Sequence, residues 1–202
     1  AELIQDAGLP PGVVNIITGA GETGAELVNH SDINKIAFTG STEVGKLIQK
    51  SVAGRNVKTT LKLGGKAANI IFKDAPIEQA VEGIMNGSFF NQGHVWCAGS
   101  RLFIEESIEK EVLEKLKWRL ETLTVGDPMD KNTDVGAINS KQQLETIKKY
   151  LKIANEEGLK GFESNQKIPN KGYYCKPTIF TGVSQSSRLA QEEIFGPVLV
   201  VQ

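Results

Sequence analysis

Apolar positions along the chain follow two rhythms. Short β-branched or aromatic runs at 35–38, 58–63, 68–72, 101–105, 177–180 and 198–201 predict strands. Residues 13–17 are a further β-branched run, and Gly19 with Gly21 predicts a turn after it. Elsewhere apolar residues recur every three or four positions, the helical period. That period covers 22–29, a helix starting at Ser41 with Val44, Leu47 and Ile48 on its apolar side, and 75–90 with Ile77, Ala80, Val81 and Ile84. It returns at 108–123 and at 141–157, where Leu144, Ile147, Leu151 and Ile153 lie on or near one side. Residues 1–8 read as a helix already under way, stopped by Gly8 and the prolines at 10 and 11. Residues 160–171 are polar and rich in Gly and Asn and predict a surface loop. The β-α-β-α alternation predicts an α/β fold, a mostly parallel sheet with helices packed on it. The chain is expected to leave one sheet and begin another near Gly64 and Gly65, giving domains 1–64 and 65–202. Starting on Ala inside a helix and ending on a strand, it reads as an internal stretch of a longer protein, incomplete at both ends.

Composition narrows the classes. Apolar residues make up 40% and charged residues 23% of the 202 positions, an ordinary globular balance. A net charge of −1 gives no basic field for nucleic acid or an anionic membrane. No apolar run approaches the length needed to span a bilayer, and no secretory signal is visible. The two cysteines, Cys97 and Cys175, make neither a disulfide framework nor a metal-ligand cluster, so no metal is expected. A reducing compartment, the cytoplasm, is the default.

The chemistry is concentrated in four segments. Phe38-Thr39-Gly40-Ser41-Thr42-Glu43-Val44-Gly45 is a strand, a glycine turn and a helix start, which offers backbone N–H groups and a helix dipole to a phosphate. It is followed by Leu61-Lys62-Leu63-Gly64-Gly65-Lys66, then by the stretch from Phe89 through Gly93-His94-Val95-Trp96-Cys97 to Arg101, and finally by Glu192-Glu193-Ile194-Phe195-Gly196-Pro197. In this order and spacing they resemble the aldehyde dehydrogenase superfamily. The resemblance extends through Gly8–Asn15, Val125–Pro128 and Tyr173–Thr178, and Asp134–Ser140 is similar to the family-16 branch.

That resemblance implies the second half of a Rossmann-type NAD(P)-binding domain at 1–64 and a truncated catalytic, thiol-bearing domain at 65–202. It implies a cysteine thiolate that attacks an aldehyde, hydride transfer to NAD or NADP, and a glutamate that activates water to release the acid. On the cofactor side it assigns Gly19, Phe38, Thr39, Gly40, Ser41, Val44, Leu63, Gly64, Glu193 and Phe195. Partners would be the nicotinamide nucleotide, an aldehyde and, for the full-length protein, further copies of itself.

Two positions depart from the pattern. The glutamate of the family's Glu-Leu-Gly-Gly-Lys motif is Lys62, and the nucleophilic cysteine is Trp96, three residues after Gly93. Trp96 has no nucleophilic atom and fills space meant for the aldehyde. Lys62 works as a base only if burial lowers its pKa by roughly 3–5 units. Its cation would repel an oxidised nicotinamide ring. Cys97, one residue on, is the substitute nucleophile, but neighbouring side chains point in different directions, and a buried structural thiol is the expectation for it. His94 reads as a packing or hydrogen-bonding residue and Lys66 as part of the scaffold. The sequence therefore points to a pseudoenzyme that keeps its nucleotide turns. The competing readings are an enzyme working through Cys97 and a purely structural module.

Overall fold

The computed structural model describes residues 1–202. The chain divides into two compact units, Ala1–Gly64 and Gly65–Gln202.

The first unit contains α1 (Glu2–Asp6), α2 (Gly21–Asn29), β1 (Lys35–Thr39), α3 (Thr42–Val52) and β2 (Lys58–Lys62). Gly8 ends the first turn at φ +77, with its N–H on the Gln5 carbonyl. β1 and β2 pair in parallel, Thr39 opposite Lys62. The run at 13–17 makes no ladder, because the two-stranded sheet joins β1 to β2 alone, and a β-branched run without a neighbour has nowhere to place its backbone hydrogen bonds. Gly21, expected in a turn, is the first residue of α2. Ser41 caps α3, its hydroxyl accepting from Val44 N–H at 3.3 Å. Gly45 faces the Leu63 side chain so closely that an added Cβ would lie 2.4 Å from Leu63 Cδ2.

The second unit runs β3 (Ala68–Ile71), α4 (Ile77–Phe89), β4 (Arg101–Ile104), α5 (Glu109–Glu121), α6 (Lys141–Glu156), β5 (Gly161–Glu163), β6 (Thr178–Phe180), α7 (Arg188–Gln191) and β7 (Val198–Val201). The sheet order is β3-β4-β7-β6-β5, parallel except for β5 at the edge. The strand β5 interrupts the segment expected to be loop. It pairs antiparallel with β6, whose backbone supplies partners that a three-residue run is too short to advertise.

Helices cover both faces, and β7 shows why its sequence is apolar at every position. Leu199 and Val201 pack with Ile84, Val112, Leu116 and Leu120 of α4 and α5. Val198 and Val200 pack with Ile147 and Ala154 of α6 and Leu189 of α7. A strand buried on both faces cannot alternate. No helix is long and apolar enough to cross a membrane.

Candidate functional site

The sequence-predicted residues fall into one group in each unit, at opposite ends of parallel strands. In the first unit they follow β1 and β2. Gly40 and Ser41 leave β1, and Leu63 and Gly64 leave β2, with Gly40 N–H donating to the Lys62 carbonyl at 3.1 Å. Carboxyl ends of parallel strands are where open α/β sheets bind ligands. The Phe38 ring lies over Gly40, where an added Cβ would come 2.2 Å from its Cζ. Gly40 is half-buried, while Ser41, Thr42 and Glu43 are exposed. The N–H groups of Thr42 and Glu43, at the start of an 11-residue helix, have no acceptor within that helix. These features fit a phosphate, although Glu43 in the first turn opposes an anion. Gly19 lies before α2, against the Thr23 side chain. Lys62 is exposed, and its ammonium donates to the Leu63 carbonyl at 3.1 Å. In that bond the amine is a donor.

In the second unit the candidates gather where three segments enter the amino ends of adjacent strands. Gly65–Lys66 leads into β3, the 90–100 segment into β4, and the 192–197 segment into β7. Together they line a narrow cleft, with Lys66, Gly93, Trp96, Glu193 and Phe195 on its walls.

The backbone there is strained. Asn91 (φ 48), Gln92 (φ 58) and Phe195 (φ 53) are the non-glycine residues with positive φ, and all three lie in these segments. Each costs on the order of 1–3 kcal/mol and persists only where the surroundings enforce it. The enforcement is visible. Gln92 Oε1 accepts from Gly136 N–H at 3.0 Å. Gln143 of α6 donates through Nε2 to the carbonyls of Ile194 and Phe195, both at 2.9 Å. Gly93, at φ 73, lies so close to Gly196 that an added Cβ would be 2.2 Å from its carbonyl oxygen. Position 93 therefore admits only glycine.

Gln143 escaped the sequence reading, since 51 residues separate it from Ile194 and nothing local marks it. A signal did exist for the turn: Asn91 precedes Gln92-Gly93, and Asn tolerates left-handed backbone better than most residues.

Side chains complete the cleft. Phe195 stacks on His94 at 5.4 Å with the rings 3° apart, and Trp96 meets Phe195 at 5.1 Å, tilted by 49°. His94 is a packing residue. Burial lowers its pKa, and its Nε2 is covered without a partner. Trp96 keeps 40% of its surface exposed. Cys97 corrects an expectation: it is exposed, not buried. The cause is the local backbone, a tight turn with Ala98 N–H on the Val95 carbonyl and Ser100 N–H on the Ala98 carbonyl, in place of a packed strand. Cys175 is the buried thiol. Its pKa is pushed up to about 11 by burial and then by Glu163, which makes it a poor nucleophile.

Glu193 is half-buried on the cleft, while its neighbour Glu192 turns away into an ion pair. Arg188 grips Glu192 with two bonds of 2.7 and 2.8 Å and Tyr150 donates to it at 2.8 Å, holding its pKa down at about 2.

Lys66 is a buried cation on the same cleft. Its Nζ is covered and has no hydrogen-bond partner, and so is Nε of Arg101 beside it. Burial first, and Arg101 second, bring the Lys66 pKa down to about 8, with Glu193 opposing. Unfolded, the amine holds its proton up to about 10.5; folded, only to about 8. Folding at neutral pH therefore carries a penalty that fades as pH rises from 8 to 10.5. At 1.36 kcal/mol per pH unit the penalty is at most about 3 kcal/mol. Lys66→Met is expected to raise unfolding stability at pH 7 by up to that amount, the gain shrinking toward pH 10.5. Denaturant melts of both proteins across that range check it; a loss of stability at pH 7 would contradict it.

The aldehyde dehydrogenase family model matches residues 1–202. The chain belongs to the aldehyde dehydrogenase family. An aldehyde dehydrogenase of Davidiella tassiana is 44% identical over 200 residues, covering 98% of this chain and 40% of that protein. Retinal dehydrogenase 2 of Rattus norvegicus is 48% identical over 198 residues, 97% of this chain and 38% of that one. The aldehyde dehydrogenase of Bacillus cereus, solved as its NAD+ complex, superposes with a TM-score of 0.95 at 40% identity, over 100% of this chain and 41% of that one. The chain thus spans about two fifths of the length of these aldehyde dehydrogenases.

Proposed function

We propose that this chain carries the aldehyde dehydrogenase scaffold with its thiol chemistry removed: a pseudoenzyme that keeps a nicotinamide-nucleotide site. The observation that carries this reading is Trp96. At the nucleophile position, on the wall of the cleft, stands an indole that packs against Phe195 at 5.1 Å. An indole offers no atom to form a thiohemiacetal, and its bulk takes the space of an aldehyde. At the base position Lys62 brings a positive charge where water needs a carboxylate.

Residues 1–64 serve as part of the NAD(P)-binding domain and 65–202 as the catalytic domain. The binding set is Gly19, Phe38, Thr39, Gly40, Ser41, Val44, Leu63, Gly64, Glu193 and Phe195. The turn after β1 supplies N–H groups for a phosphate, and Glu193 supplies a carboxylate for ribose hydroxyls. The Bacillus cereus relative solved with NAD+ supports a dinucleotide, NAD or NADP, as the ligand. The full-length protein is read as a cytoplasmic homo-oligomer, and the 134–140 stretch points to the family-16 branch.

Calorimetric titration of the full-length protein tests the retained site. One dinucleotide, NAD+ or NADP+, is expected to bind, and Glu193→Ala to weaken it roughly tenfold, the worth of one lost polar contact. Absence of binding by both would favour the purely structural module.

A further inference from the structure

The segment from Glu192 to Gly196 rests on one side of α6. Gln143, Ile147 and Tyr150 follow the helical period that aligns side chains on a single face. Each holds a different part of the segment. Tyr150 donates its hydroxyl to Glu192 at 2.8 Å, and Gln143 donates to the carbonyls of Ile194 and Phe195. Ile147 fills the space beside Gly196, where an added Cβ would lie 2.6 Å from its Cδ1. Burial first, and Glu192 second, push the Tyr150 pKa up to about 12, so the hydroxyl keeps the proton it donates. Arg188 bonds the same carboxylate twice, and its guanidinium stands 5.9 Å from the centre of the Tyr150 ring.

Glu193 lies between these fixed points. Glu192 leaves α7 in extended backbone, at φ −106 and ψ 145, where successive side chains point to opposite sides. Holding the Glu192 carboxylate on the α6 side therefore turns Glu193 to the other side, where it lines the cleft. Arg188 cannot supply that hold by itself. It is four residues from Glu192 in the same segment, so the pair moves as one, and an ion pair this exposed is worth little. Tyr150 is 42 residues away on a packed helix, and its bond ties the carboxylate to the body of the unit. We propose that Tyr150 is a positioning residue which, through Glu192, fixes the direction of Glu193 and so sets the nucleotide affinity of the cleft. Adjacent glutamates then have separate tasks: Glu192 is the anchor and Glu193 the contact. The proposal rests on the retained nucleotide site, since it is the ribose contact of Glu193 that Tyr150 would aim.

The test is a double-variant cycle on the full-length protein, read by calorimetric titration with NAD+ and with NADP+. Tyr150→Phe removes only the hydroxyl and is expected to weaken dinucleotide binding roughly fivefold, the worth of one hydrogen bond, against roughly tenfold for Glu193→Ala. In the double variant the loss should stay near tenfold, because no carboxylate is left for Tyr150 to aim. A residue that merely stabilised the fold would add its own effect and bring the loss to about fiftyfold. Unchanged binding in Tyr150→Phe, or an additive loss in the double variant, would overturn the proposal. Hydrogen exchange without nucleotide separates it from the reading it rests on. Residues 192–196 should exchange faster in Tyr150→Phe than in the unsubstituted protein, while the amides of α5 stay as they were. If the unsubstituted protein binds neither dinucleotide, the retained site falls. Faster exchange then upholds the anchor, and equal exchange overturns it as well.

Discussion

Full-length protein mixed with NAD+ or NADP+ and a simple aldehyde is expected to produce no reduced nucleotide above background, and Cys97→Ser to change nothing. The size of the effect follows from what is missing. General acid–base help alone contributes roughly 10²–10⁴-fold, and Lys62 donates its hydrogen bond to a carbonyl where that reaction needs a carboxylate. The nucleophile adds a larger loss, because no covalent route exists without a thiolate. Cys97 is exposed and therefore reachable. Its place one residue along a tight turn gives it a different direction from the side chain at 96, which faces the cleft. Steady NADH production abolished by Cys97→Ser would install Cys97 as the nucleophile. Production untouched by that change, in a protein with no second such domain, would contradict the reading altogether.

The second large effect is a gain. The double variant Lys62→Glu with Trp96→Cys, made in the full-length protein, should restore turnover. Trp96→Cys empties the aldehyde's place and sets a thiol within a segment whose backbone is already fixed by Gln92, Gly93 and Gln143. Lys62→Glu supplies the base that brings water to the acyl group. Each single change should do less, because the two residues serve successive steps. A double variant that folds and binds nucleotide yet stays silent would mean that the cleft has changed beyond these two positions.

How far the sequence reached can be traced to particular residues. Val198–Val201 was legible as a strand because burial on both faces forces an unbroken apolar run. The Ser41 cap was legible because one hydroxyl three residues before an N–H suffices to start a helix. The four-residue α7 is shorter than any period that could announce it, and β5 exists only because β6 lies beside it. The same logic explains the run at 13–17, where pattern alone cannot say whether a neighbour is present. In the site, the motifs located the right loops, since each carries glycines that the backbone needs. They could not show that Cys97 is exposed or that Gln143 holds Phe195 from a distant helix, because both are tertiary facts. The low-pKa lysine was hidden for the same reason: Lys66 reads as scaffold until Arg101 is seen beside it.

The most direct test of the central claim, that thiol chemistry ends at Trp96, is a rapid-mixing measurement of NADH fluorescence on three forms of the full-length protein with saturating NAD+ and aldehyde. No signal is expected from the unsubstituted chain. Trp96→Cys should give a single burst equal in amount to the protein and then stall as a thioester, and the double variant a burst followed by steady turnover. A burst from the natural chain would contradict it.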